Sequence, residues 1–119
     1  MSLLIVDDSR AMRMMIKKTL RDAGHGNHDV IEAGDGAEAL EMIRNESPDV
    51  ILCDWNMPKM NGMELLTTLR GEGNNTTFGF ITTEGTADSL VAAKDAGARF
   101  VITKPFTAES FANALDSVI

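Results

Sequence analysis

The chain has 119 residues, of which 44% are hydrophobic and 24% are charged, and its formal net charge is −7. That length and hydrophobic share fit one globular domain over residues 1–119 and argue against extensive disorder. The acidic balance argues against a broad nucleic-acid or acidic-membrane surface, because both depend on clustered lysine and arginine. No apolar stretch reaches the roughly 18 residues that span a bilayer, and the single cysteine, Cys53, forms no internal disulfide, so a cytoplasmic location is expected.

Short apolar runs alternate along the chain with stretches of helical spacing. The runs predict five buried strands, at residues 3–6, 29–33, 50–53, 78–82 and 99–103. The apolar positions that the first three predicted helices are expected to turn inward are Met12, Met15, Ile16 and Leu20, then Ala37, Leu40 and Ile43, then Leu65, Leu66 and Leu69. The fourth helix carries Leu90, Val91 and Ala93, and the fifth carries Phe111, Leu115 and Val118.

The alternation of strands and helices predicts the class of fold. Unbroken apolar strands between helices indicate a parallel sheet that is covered on both faces. Right-handed crossovers restrict five such units to a few doubly wound strand orders. In an open α/β sheet the ligand site lies beyond the carboxyl ends of the strands, so the residues that follow each strand are the candidates for function.

Polar residues of complementary kinds stand at those strand ends. Asp7 and Asp8 follow the first strand, Asp54 follows the third, Thr82 ends the fourth and Lys104 follows the fifth. Because all parallel strands point the same way, we expect these side chains to converge on one edge. Three close carboxylates repel one another, and a hard divalent cation removes that conflict. The pattern therefore predicts a Mg²⁺ site held by Asp8 and Asp54, with Asp7 reaching the ion directly or through water.

Each of these residues also has an ordinary structural explanation. An Asp pair before a helix commonly serves as an N-cap near the positive end of the helix. A threonine at a strand end can be a turn residue, and Lys-Pro can be a solvated loop. These explanations account for the residues singly but not for their joint placement at four strand ends.

The motifs resemble those of the receiver domains of response regulators, in order and spacing, over essentially the whole chain. The matching segments are Asp7-Asp8-Ser9, Asp54-Trp55-Asn56-Met57-Pro58, Thr82 and Lys104-Pro105-Phe106. Within that family they are most similar to the chemotaxis branch. The resemblance implies a (βα)5 doubly wound parallel sheet of the flavodoxin/CheY-like type, with strand order 2-1-3-4-5.

The resemblance also implies a signalling switch, which catalyses its own phosphorylation and dephosphorylation, rather than an enzyme with a separate substrate. Asp54 would be the phosphoacceptor, Lys104 would pair with the phosphoryl oxygens, and Thr82 would move its hydroxyl toward them. The implied Mg²⁺ ligands are Asp7, Asp8, Asp54 and the backbone carbonyl of Asn56.

Residues around the site are expected to tune it. Asn56 and Glu84 stand where relatives tune dephosphorylation, and both match the chemotaxis branch. Thr83 takes a position where relatives often have Ala or Gly, and its β-branch is expected to narrow access to Asp54.

The expected output route departs from the family pattern. Val101 stands where chemotaxis-type receivers usually have Tyr or Phe, and strand alternation points the adjacent Phe100 to the other face. The usual coupling of the switch threonine to an aromatic ring is therefore in question, and we expect a different output surface. The Lys104–Pro105 bond is expected to be cis, as in relatives.

The implied partners are a sensor histidine kinase or phosphotransfer protein as donor and an output protein, either the flagellar motor or another effector. No direct contact with nucleic acid, no membrane insertion and a monomeric state are expected. The alternatives are a receiver cut from a longer regulator with a DNA-binding or enzymatic effector, and a phosphate sink.

Two functions of other classes are disfavoured by the loop after the first strand. A flavodoxin-like FMN carrier needs a Ser/Thr/Gly-rich phosphate loop there, whereas this chain has Asp7-Asp8-Ser9-Arg10, whose carboxylates repel a phosphate. A phosphatase with its nucleophilic Asp in this loop would use Asp-x-Asp, which the sequence lacks.

Overall fold

The computed structural model describes residues 1–118, in which strands and helices alternate throughout. The strands are β1 (Ser2–Val6), β2 (Asp29–Ala33), β3 (Val50–Cys53), β4 (Thr77–Thr82) and β5 (Phe100–Thr103). The helices are α1 (Arg10–Asp22), α2 (Gly36–Glu46), α3 (Gly62–Gly71), α4 (Ala87–Asp95) and α5 (Ala108–Leu115). All five predicted strands are confirmed to within one residue at their starts, and no helix of the described chain is both long and apolar enough to cross a membrane.

The five strands form one parallel sheet in the order β2-β1-β3-β4-β5, which confirms the predicted doubly wound fold. Val6, the last residue of β1, pairs with Ala33 on one side and Cys53 on the other. Near the β5 edge of the sheet, Thr82 at the end of β4 pairs with Thr103 at the end of β5. This register brings the ends of β1 and β3 level with each other, so that the residues after them emerge side by side.

Two layers of apolar side chains lie on opposite faces of the sheet. Helices α1 and α5 cover one face, and α2, α3 and α4 cover the other. The largest fully buried aromatic residues are Phe78, Phe80 and Phe111. Alternate residues of the strands enter each layer, which is why the strands read as continuous apolar runs.

Every helix begins at a side chain that caps it. The oxygens of Ser9, Asp35, Asn61, Thr86 and Thr107 each accept a hydrogen bond from the backbone N–H three residues ahead. Such a cap contributes about 1 kcal/mol to helix stability. Because each helix follows the carboxyl end of a strand, the caps also fix the paths of the loops that carry the polar residues.

Two predicted inner positions face outward. Met15 is 54% exposed, because α1 packs through the stripe that contains Ile16 and Leu20 and Met15 lies to one side of it. Ala37 is exposed while Ala39 is buried, because α2 packs through the stripe of Gly36, Ala39 and Ile43. Both errors come from helical spacing alone, which does not say which of two adjacent apolar stripes packs on the sheet.

Candidate functional site

Three carboxylates meet beyond the ends of β1 and β3. The backbone N–H of Asp54 donates to the carbonyl of Val6 over 2.9 Å, which places Asp54 beside the end of β1. Oxygens from the side chains of Asp7, Asp8 and Asp54 all lie within 4.8 Å of one another. Asp7 is buried, Asp54 is half-buried and Asp8 is exposed, so the cluster is a pocket that opens to solvent on the Asp8 side.

Lys104 extends from the end of β5 into this cluster. Its Nζ lies 3.3 Å from Oδ2 of Asp7 and 3.6 Å from Oδ2 of Asp54. Desolvation by burial raises the pKa of Asp54, the ammonium of Lys104 opposes that rise, and the carboxylate of Asp7 adds to it. One ammonium against three carboxylates leaves uncompensated negative charge, and a bound cation would relieve it.

The donor set of the pocket fits Mg²⁺. All three groups are carboxylates, and hard divalent cations prefer oxygen ligands, whereas zinc is usually held by histidine or cysteine. The nearby thiol of Cys53 is fully buried, and its S–H donates to the backbone carbonyl of Asp54 over 3.1 Å rather than entering the pocket.

The neighbours of Asp54 hold it in place. Oδ1 of Asp54 accepts a hydrogen bond of 2.8 Å from the backbone N–H of Trp55, which leaves Oδ2 directed toward Lys104. The Trp55 ring stacks on Phe80 with 4.7 Å between ring centroids. Gly62, the first residue of α3, is packed so closely that a Cβ there would overlap the carbonyl oxygen of Asp54.

The predicted switch and tuning residues are linked across the mouth of the pocket. Thr82 is fully buried, and its hydroxyl oxygen accepts the backbone N–H of Glu84 over 3.1 Å. The Glu84 carboxylate accepts a hydrogen bond of 3.3 Å from the side-chain amide of Asn56. Thr83 is exposed and lines a groove of about 400 Å³ that also contains Met12 and Lys104. The Thr83 side chain therefore stands beside the open approach to the cluster.

Phe100 and Val101 lie on opposite faces of the sheet, as strand alternation predicts. Val101 pairs with Phe80 and packs against the layer under α2, α3 and α4, whereas Phe100 packs against the layer under α1 and α5. The aromatic ring of Phe100 thus does not replace the one missing at position 101. The Lys104–Pro105 peptide bond is cis, as expected.

A charged network behind the pocket was not predicted. Arg13 of α1 donates from Nε to Glu32 over 2.9 Å and from Nη1 to the carbonyl oxygen of Asp7 over 2.6 Å. Lys17 donates to the second oxygen of Glu32 over 2.8 Å. A signal was present in the sequence, since Glu32 follows the apolar pair Val30-Ile31 within a strand, and a carboxylate in such a place needs a partner.

We expect the contribution of Glu32 to stability to depend on pH. The hydrogen bond from Lys17 is the largest effect that lowers the pKa of Glu32 from its ordinary value of 4.5. A depressed pKa stabilises the fold above the unfolded value, and that stabilisation is lost as the pH falls through the folded value. Because the side chain is 32% exposed, Glu32→Gln should lower the free energy of unfolding by only about 1 kcal/mol at pH 7. Urea unfolding at pH 7 and pH 4 should show this difference shrinking, and a constant difference would contradict the prediction.

Comparison with known proteins places these features in a family. Residues 3–116 match the family described as the response regulator receiver domain. A chemotaxis protein CheY homolog of Campylobacter jejuni is 43% identical over 100% of this chain and 92% of its own length. Chemotaxis protein CheY-3 of Vibrio cholerae is 39% identical over 99% of this chain and 91% of its own length.

Solved structures agree with the sequence match. Vibrio cholerae CheY4 superposes with a TM-score of 0.86 at 35% identity, over 99% of this chain and 98% of its own. The chain belongs to the response regulator receiver family, and it is of the CheY type within that family. Proteins of this type act as signalling switches rather than conventional enzymes.

Proposed function

We propose that this chain accepts a phosphoryl group on the Asp54 carboxylate and that the modified form has a changed affinity for its output partner. The observation that carries the proposal is the meeting of Asp54 with two further carboxylates and the ammonium of Lys104 at one edge of the sheet. A lone carboxylate would repel an incoming phosphate, and this arrangement provides the means to offset that repulsion.

The transfer is a direct displacement at phosphorus. An oxygen of the Asp54 carboxylate attacks the phosphorus of a phosphohistidine, the P–N bond breaks, and its electron pair stays on the imidazole nitrogen. Lys104, already 3.6 Å from Oδ2 of Asp54, pairs with the oxygens of the transferred group. Mg²⁺ held by Asp8, Asp54 and the backbone carbonyl of Asn56, with Asp7 assisting, would supply further charge neutralisation. Attack of water on the aspartyl-phosphate releases inorganic phosphate and restores the carboxylate.

Thr82 is suited to report the modification. Its hydroxyl oxygen accepts the N–H of Glu84, which leaves the O–H free to donate to a phosphoryl oxygen. A phosphoryl group adds a charge of about −1.5 to −2 and strong acceptor oxygens. Moving a two-state loop from 1:99 to 99:1 takes about 5.5 kcal/mol, and three charge-assisted hydrogen bonds of about 2 kcal/mol each supply it.

We infer the cellular setting from the relatives and the composition. The curated relatives are chemotaxis proteins whose own lengths this chain almost spans, which supports single-domain signalling in chemotaxis. The donor would be a sensor histidine kinase or a phosphotransfer protein, and the output partner the flagellar motor or another effector. A monomer in the cytoplasm fits this role.

The decisive experiment is phosphorylation by acetyl phosphate in the presence of Mg²⁺, followed by intact mass spectrometry. The wild type should gain one phosphoryl group, and Asp54→Asn should gain none, because the amide is not a competent nucleophile. Asp35→Asn is the matched control, since Asp35 is an aspartate that follows β2 but lies outside the cluster. Equal labelling of Asp54→Asn and wild type would refute the proposal.

Thr83→Ala is expected to speed phosphorylation a few-fold for bulky donors and less for small ones. The side chain of Thr83 lines the groove beside Lys104, so trimming it widens the approach to Asp54. Rates with acetyl phosphate and with a larger phosphoramidate should be compared for the two proteins. Identical rates for both donors would show that Thr83 does not limit access.

A further inference from the structure

Every polar group of Asp7 is engaged, each by a different part of the fold. Its backbone N–H donates to the carbonyl of Ala33 over 3.1 Å, and its Oδ1 accepts the N–H of Ser9 over 2.9 Å. Its Oδ2 lies 3.3 Å from the ammonium of Lys104. The remaining group, the backbone carbonyl, accepts Nη1 of Arg13 over 2.6 Å. Arg13 is the partner of Asp7 that the proposed chemistry leaves unexplained.

Arg13 supplies a donor that the sheet itself does not provide. Within a strand the N–H and C=O of one residue point to the same side, so the Asp7 carbonyl faces β2, as its N–H does. There β2 ends at Ala33, the backbone N–H of Gly34 donates to the side chain of Glu38 over 3.2 Å, and no backbone N–H of the described residues donates to the Asp7 carbonyl. The guanidinium therefore satisfies a backbone acceptor just beyond the last ladder pair.

The guanidinium is itself held in one orientation. Its Nε donates to Oε1 of Glu32 over 2.9 Å, whereas Lys17 uses the other oxygen, Oε2, so the Arg13–Glu32 contact does not run through Lys17. The Arg13 side chain is only 17% exposed. A planar fork with two engaged nitrogens fixes the direction of the bond to Asp7, which a single ammonium does not do.

Fixing the Asp7 carbonyl fixes the peptide plane between Asp7 and Asp8. Asp8 is exposed, so its carboxylate takes its position from the backbone rather than from packing. We propose that Arg13, oriented by Glu32, is a positioning residue that aims the Asp8 carboxylate into the cation site. This inference rests on the proposed function, because it assigns a role in the Mg²⁺ site of that function.

The test is the Mg²⁺ affinity of Arg13→Lys, measured through the fluorescence of Trp55, the only tryptophan, and checked by calorimetry. This variant keeps the positive charge but loses the planar guanidinium, whose two nitrogens bind Glu32 and the Asp7 carbonyl at the same time. A change in Mg²⁺ affinity therefore does not reflect lost charge. We expect Mg²⁺ binding to weaken about tenfold, the lower end of what groups that orient metal ligands contribute.

Lys17→Met is the matched control, because Lys17 shares Glu32 with Arg13 but does not reach Asp7. It should leave Mg²⁺ affinity unchanged or slightly tighter, since it removes a positive charge near the site. Melting temperatures without Mg²⁺ should be recorded for both variants, and a merely structural role would lower them without weakening Mg²⁺ binding to the folded protein.

The outcomes separate the two proposals. Wild-type affinity in Arg13→Lys, or an equal loss in Lys17→Met, would overturn the positioning role while leaving the proposed function intact. Failure of the wild type to bind Mg²⁺ would overturn the proposed function together with this inference.

Discussion

Lys104→Met is expected to slow phosphorylation of Asp54 by acetyl phosphate about a hundredfold, the scale on which a single preorganised charge stabilises a transition state. The ammonium lies between the carboxylates of Asp7 and Asp54, at 3.3 and 3.6 Å from their oxygens. Removing it exposes the incoming phosphate to uncompensated negative charge. Mg²⁺ binding should be retained or become tighter, because a competing positive charge is lost.

Lys59→Met is the control for this prediction. Lys59 is a lysine of the loop after β3, 73% exposed, and its Nζ lies 3.6 Å from Asp35 rather than from the cluster. The two variants have the same net charge, so a rate loss confined to Lys104→Met reflects position. A phosphorylation rate in Lys104→Met equal to that of Lys59→Met would rule out the role given to Lys104.

Gly62→Ala is expected to destabilise the fold by about 2 kcal/mol, as overpacking of a tight site does. For a chain of this size that corresponds to a fall in Tm of about 8 °C. The added methyl group would overlap the carbonyl oxygen of Asp54 and meet the ring of Phe80 at 2.8 Å, so the backbone of the phosphoacceptor must shift. Mg²⁺ affinity should therefore fall as well, which thermal unfolding with and without Mg²⁺ will measure.

Gly71→Ala, at the other end of the same helix, provides the comparison. A Cβ at Gly71 meets nothing within 4 Å, so this change should leave Mg²⁺ affinity alone and raise stability by about 0.5 kcal/mol. If Gly62→Ala behaved like Gly71→Ala, the close packing of α3 against Asp54 would contribute neither to the stability of the fold nor to Mg²⁺ affinity.

The sequence alone was enough to predict the features that depend on hydrophobic periodicity and on the order of strands and helices along the chain. Apolar runs located all five strands, and the rule that ligands lie beyond parallel strand ends predicted that Asp7, Asp54 and Lys104 meet at one edge. These inferences succeed because a buried parallel strand has little freedom in where it ends, and the residue after it must emerge at the rim.

Features that depend on the rotation of a helix about its axis, or on the conformation of a long side chain, were not predicted. The helix α2 packs through Gly36, Ala39 and Ile43, so Ala37 was placed inward in error and Ala39 was overlooked. The bond from Arg13 to the Asp7 carbonyl depends on a side-chain rotamer and on a backbone acceptor, neither of which leaves a trace in sequence periodicity. The charge of Glu32 within a strand was the one available hint.

The ion pair between Lys104 and Asp7 joins positions 97 residues apart. During synthesis the carboxylates that follow β1 and β3 are therefore made long before Lys104. The strand β5 must dock on the sheet before the ammonium of Lys104 can reach the pocket. A chain stopped short of β5 would hold an acidic cluster without its counter-charge. Reactivity at Asp54 thus comes only with completion of the sheet, and variants that lower the folded fraction should lose phosphorylation in the same proportion.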